Sequence, residues 1–156
     1  MRTFLSVVVS AMLLAAPAKA DEPDLTKAVK DLKDCMASEN LDSLDGLKTN
    51  KEATTTEEKC FIGCMMKSVH GLNSDGEYDL DLLKEHINHC PELMKDQQKK
   101  AAAIEVAESC AGKVTGCSGY CECGIAAGDC LSEGMEAKGY ETIYEWLAKV
   151  IVKADA

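Results

Sequence analysis

The chain has 156 residues and a formal charge of −10, from 27 acidic against 17 basic side chains. Nucleic-acid binding needs a basic footprint, usually with arginines for phosphate and base contacts, so this charge balance argues against it, and it also repels the chain from anionic membrane surfaces. Nine cysteines point to an oxidising compartment and a disulfide framework, and the odd number leaves at least one thiol free or shared with another molecule.

The first twenty residues read as a signal segment. Arg2 supplies a positive start, an apolar run follows from Phe4, and Ala18-Lys19-Ala20 has the small residues a signal peptidase reads, which places cleavage after Ala20. The run is too short for a comfortable bilayer span and leads into acidic Asp21-Glu22. Without it the chain holds no arginine. The expected product is a secreted, extracellular domain over 21–156.

That domain reads as all-α. Asp24 can cap a first helix to about Ser38, with Leu25, Ala28, Val29, Leu32, Cys35 and Met36 on one face. The stretch 40–53 is polar with apolar knots at Leu41, Leu44 and Leu47, which predicts a short helical turn and a loop. Thr55 with Glu58 fits a capping box that opens a helix carrying Cys60, Phe61, Cys64, Met65 and Val69 toward Gly71. Asn73-Ser74-Asp75-Gly76 is a turn, and Asp79 opens a helix with Leu80, Leu83, Ile87 and Cys90 on one side. Pro91 suits the first position of the next helix, expected to run to Ala111 with Gly112 beyond it. After a loop over 115–119, a helix is expected over 121–131, weakened by Gly124 and Gly128. A last one is expected over 136–153, with Tyr140, Ile143, Trp146, Leu147, Val150 and Ile151 in a stripe. The sum is six to seven helices.

Six cysteines carry a pattern. Cys35 is followed after 24 residues by Cys60, after three by Cys64, after 45 by Cys110, after ten by Cys121 and after eight by Cys130. Cys60 and Cys64 sit one helical turn apart, so each can staple that helix to a different neighbour. With the turn Gly71-Leu72-Asn73-Ser74-Asp75-Gly76-Glu77-Tyr78-Asp79, the gaps of three and eight residues resemble the insect odorant-binding proteins of the pheromone- and general-odorant-binding type. The resemblance implies the bridges Cys35–Cys64, Cys60–Cys121 and Cys110–Cys130. Sequence alone leaves the connectivity open. Two features depart from the family: a long Cys64–Cys110 interval, and three extra cysteines. Among the extra three, Cys90 with Cys117 is the expected fourth bridge and Cys123 the alternative partner; the other reading makes all three small buried hydrophobes.

The resemblance also implies helices stapled by three or four disulfides around a hydrophobic pocket, and a carrier that moves a small apolar ligand, such as an odorant or pheromone, through extracellular fluid. Delivery to a membrane receptor, and a monomer or homodimer, belong to the same expectation. No pocket signature exists in such a family. The expected lining takes inward positions beside the bridges: Ile62, Met65, Met66, Leu72, Leu83, Ile87, Ile104, Ile125, Ile143 and Leu147. Phe61, Tyr144 and Trp146 are weaker candidates, and Tyr120 or Tyr140 could orient a ligand through a hydroxyl. Met36, Met94 and Met135 add adaptable apolar surface. The tail over 150–156 is apolar for a terminus and is expected to pack as a lid or a helix end.

Sharper chemistry is not encoded. His86, His89 and Cys90 have ligand spacing, but no second cluster accompanies them, so no metal is expected. A calcium loop centred on Gly76 would need acids where Gly71 and Leu82 stand. Nucleophile elbows, phosphate loops and zinc-protease helices are missing, so neither catalysis nor a cofactor is expected. The alternative to a carrier is a secreted interaction or structural protein with a filled core, its acidic surface docked on a basic partner.

Overall fold

A computed structural model describes residues 24–156; the expected signal segment over 1–20 and its cleavage point lie outside the described residues. Eight helices occur among the described residues: α1 (Thr26–Ser38), α2 (Asp45–Asn50), α3 (Thr56–Ser68), α4 (Leu80–His89), α5 (Pro91–Lys95), α6 (Gln97–Ala111), α7 (Gly119–Ala137) and α8 (Ile143–Asp155). The only strand-like pairing described is an isolated antiparallel bridge, Leu72 with Tyr78, across the α3–α4 turn.

Local chemistry explains where these helices begin. Thr55 and Glu58 form the expected capping box on α3. Asp79 accepts from the Leu82 N–H at the start of α4. The expected single helix over 91–111 is two, because Asp96 leaves helical geometry and caps α6 by accepting from the Lys99 N–H. The two last helices also differ from expectation. α7 runs from Gly119 to Ala137, longer at both ends, and α8 starts only after a second capping box between Thr142 and Glu145. That box competes with helix continuation through 138–142, where Gly139 takes a left-handed φ of 81°. The split at Asp96, with the short helical turn over 40–53 formed as α2, turns the expected six or seven helices into eight among the described residues.

The centre of the fold is the contact of α3 with α7. Gly63 and Gly124 face each other there, and a methyl group added to Gly124 would strike the Gly63 backbone. The glycines that weaken α7 in isolation are therefore what lets two backbones meet. Beside this crossing the Cys60–Cys121 bridge holds Cα atoms 4.1 Å apart. Cys35–Cys64 ties α1 to the same helix, and Cys110–Cys130 ties α6 to α7.

The fourth bridge corrects the sequence reading. Cys117 pairs with Cys123, not with Cys90, and Cys90 at the junction of α4 and α5 is free and half-buried. Left-handed Gly116 and Gly119, each at φ 74°, fold the loop back on the first turn of α7 and bring Cys117 and Cys123 to a Cα separation of 5.2 Å. Local chain reversal thus supplies a partner before any distant one is needed.

α1 packs on α3 and α8, α4 on α6, and α2 on α8. Val150 and Ile151 are buried, so the C-terminal segment is a helix end built into the core. No helix among the described residues is long and apolar enough to cross a membrane.

Candidate ligand-binding site

The residues expected to line a pocket fall into two groups. Ile62, Met65, Met66, Leu72, Leu83, Ile87 and Leu147 are buried in one continuous apolar cluster. Ile104, Ile125 and Ile143 are half-buried against its surface. Phe61 joins the buried group with no exposure, while Met94 is 56% exposed. The sequence pattern therefore finds residues of the apolar core.

A cavity of about 220 Å³ opens between α2 and α8. Its walls are Leu47, Lys48 and Lys51 from the α2 side and Tyr144, Glu145, Leu147, Ala148 and Ile151 from α8. Of the ten expected lining residues only Leu147 borders it. Leu47 and Leu147 are buried members of this wall, and Lys48 and Lys51 are exposed, so long apolar stems can lie on the protein with the ammonium groups in water. A second cavity, of about 270 Å³, adjoins it and is lined by Lys51, Asp129, Ser132, Glu133, Glu136, Thr142, Tyr144 and Glu145. Lys51, Tyr144 and Glu145 belong to both.

Local order fixes this wall. Thr142 and Glu145 start α8 at a defined residue, and the Ser132 hydroxyl accepts from the Ile143 N–H at 3.1 Å, which locks that start against α7. Lys51 ends α2 in a left-handed conformation, φ 55°, which turns the chain away after one short helix. The Tyr144 hydroxyl donates to Asp129 Oδ1 at 3.1 Å. Burial first, then the neighbouring Asp129 charge and that hydrogen bond, raise the Tyr144 phenol far above its usual range, so it stays a neutral donor.

Of the two hydroxyls that the sequence offered for orientation, Tyr140 borders neither of these cavities and Tyr120 is committed elsewhere. Tyr120 donates to both Glu39 oxygens, at 3.0 and 2.9 Å, and pins α7 to the end of α1. Tyr78, whose phenol burial pushes up to about 12, donates to the Ala107 carbonyl at 2.7 Å. His86 stacks on His70 with ring centroids 5.7 Å apart, and the His89 Nδ1 lies 2.8 Å from the Glu85 carbonyl. The spacing of His86, His89 and Cys90 does not assemble a ligand set, and no metal-binding group of three occurs among the described residues. The cavity residues Leu47, Lys48, Lys51, Ala148 and Ile151 were not in the expected lining. Their only sequence signals are the apolar knot at Leu47 and the α8 stripe, and nothing in a sequence says that those two segments touch.

Eight helices among the described residues, four bridges and a small side cavity define a disulfide-bonded all-helical domain. The chain belongs to the PBP/GOBP family, the pheromone- and general-odorant-binding proteins, whose family model matches residues 18–134. Members of that family are binding proteins and not enzymes. Among solved structures it is similar to the odorant-binding protein dmelOBP28a from Drosophila melanogaster, with a TM-score of 0.59 and 25% identity over 74% of this chain and 94% of that one. No curated protein sequence matches. The family match ends before α8, the helix that supplies most of the cavity wall.

Proposed function

We propose that this protein is a secreted carrier, released by cleavage after Ala20, that binds a small hydrophobic molecule and moves it through aqueous extracellular fluid to a membrane receptor. Family membership supports the class. The observation that carries the reading for this chain is the α2–α8 cavity of about 220 Å³, walled by Leu47, Leu147, Ala148, Ile151 and the Tyr144 ring. An apolar cavity of about 150 Å³ holds benzene, so this one suits a single-ring or short-chain molecule. Burying about 200 Å² of ligand carbon at ~25 cal/mol per Å² yields about 5 kcal/mol, which is weak binding unless a polar anchor adds to it.

Titration with a fluorescent apolar probe tests the reading. Saturable binding, displaced by small volatiles, is expected; no displacement by any aliphatic or aromatic volatile overturns it. N-terminal sequencing of the secreted product tests the cleavage point and is expected to start at Asp21.

A second reading has its own support. Phe61, Ala107, Ala127 and Val150 have no exposure at all, and a core so filled also suits an interaction protein without a small ligand. The carrier reading requires that Ala148→Leu, which fills the side cavity, abolish probe binding. An interaction protein binds no probe at all, before or after the substitution.

A further inference from the structure

The two cavities differ in character. The first is apolar. The second is edged by Asp129, Glu133 and Glu136, whose spacing puts them on one face of α7. Among the described residues no cation lies within ion-pair distance of any of the three. Glu145 adds a fourth carboxylate, and Lys51 is the one basic residue in that lining. Like charges four residues apart on a helix repel. The Asp129 carboxyl is held above its usual range, by partial burial first and then by Glu133 and Glu52, with the Tyr144 hydrogen bond opposing. Tyr144 lines both spaces, and its hydroxyl is already committed to Asp129.

We infer that the joined cavities select an amphiphilic amine, with its apolar body between α2 and α8 and its ammonium on the α7 carboxylate row beside the Tyr144 ring. The inference rests on the carrier reading and narrows it to a ligand class. Charge complementarity picks the cation: an ammonium relieves the repulsion of the row and gains the ring face of Tyr144. A carboxylate ligand would have only Lys48 and Lys51 and would face the acidic row, which is exposed as they are, at close range. α8 and Glu136 lie beyond the segment that matches the family model, while Asp129, Glu133 and α2 lie within it.

Calorimetric titration of the full secreted chain with 2-phenylethylamine, 2-phenylethanol and 3-phenylpropanoate at neutral pH separates head-group charge from apolar bulk. The amine is expected to bind at least about fivefold tighter than the alcohol, the carboxylate weakest, and the advantage should shrink as salt rises. The exposed double variant Glu133→Gln/Glu136→Gln should erase the amine advantage and leave alcohol affinity unchanged. Ala148→Leu should weaken all three. Equal binding of amine and alcohol, tighter binding of the carboxylate, or an amine advantage that survives the double variant overturns the inference and leaves the carrier reading standing. So does a chain that binds the fluorescent apolar probe but none of the three compounds. A chain that binds neither the probe nor the three compounds overturns both.

Discussion

Glu58 shows how much one side chain can hold. It is 6% exposed, yet its Oε2 accepts from the Thr54 N–H at 2.7 Å, the Thr54 hydroxyl at 2.9 Å and the Thr55 N–H at 3.0 Å. Burial opposes its ionisation, but the hydrogen bonds from Thr54 and Thr55 outweigh burial and lower the carboxyl below its ordinary 4.5. On acidification the unfolded chain takes up this proton before the folded one. Its contribution is complete above about 4.5 and drains away as pH falls through the folded value. Glu58→Gln should flatten the acid limb of a urea-unfolding series, and an unchanged limb would remove Glu58 as its cause. Glu58→Ala should cost about 1–3 kcal/mol, because the donors lose their acceptor. Gly124 makes the opposite point. Gly→Ala within a helix normally gains about 1 kcal/mol, but here the methyl meets the Gly63 backbone. Gly124→Ala should therefore destabilise by about 1–3 kcal/mol in the same assay.

Among the elements, α4 and α8 carry the conditional behaviour. The His86 imidazole, stacked on His70, titrates below its ordinary 6.5, because of burial first, then His70 and Lys27, with Asp31 opposing. The unfolded chain binds that proton first, so stability should fall as pH drops below about 6.5 and continue falling to the folded value. His86→Gln should remove that part of the pH dependence, as followed by thermal unfolding between neutral and mildly acid pH. α8 is structural to its last turns. Truncation after Lys149 removes buried Val150 and Ile151 and should cost ~3–6 kcal/mol, at ~1.5–3 for each side chain. A truncated chain with unchanged stability would restore a lid in place of a core helix.

For the whole molecule, the chain-entropy model ranks the bridges by the loop each one closes. Cys60–Cys121 spans 61 residues and Cys117–Cys123 spans six, so removing the first should cost about 4 kcal/mol and the second about 2. Much of this architecture is legible along the chain. The Thr55–Glu58 box, the Asp79 cap and the amphipathic face of α1 are local signals, and they fall where the helices form. Asp96 and the Thr142–Glu145 pair are equally local signals that a reading for longer helices passes over. The cavity is not legible in this way. It depends on Leu47 meeting Leu147 and Ile151 across most of the chain, and hydrophobic periodicity marks a residue as inward without saying whether another side chain or empty space lies opposite.

The arrangement of bridges around α3 also sets a problem in time. Cys60 and Cys64 sit side by side, but their partners lie on opposite sides of them in the chain, Cys35 before and Cys121 far after. A chain that emerges N-terminus first has Cys35, Cys60 and Cys64 available while Cys121 does not yet exist, so Cys35–Cys60 is an accessible wrong pair. Reaching the final set from it requires thiol–disulfide exchange. Cys90, the thiol left over at the end, emerges before Cys110 and Cys121 and is on hand as an attacking group during that interval.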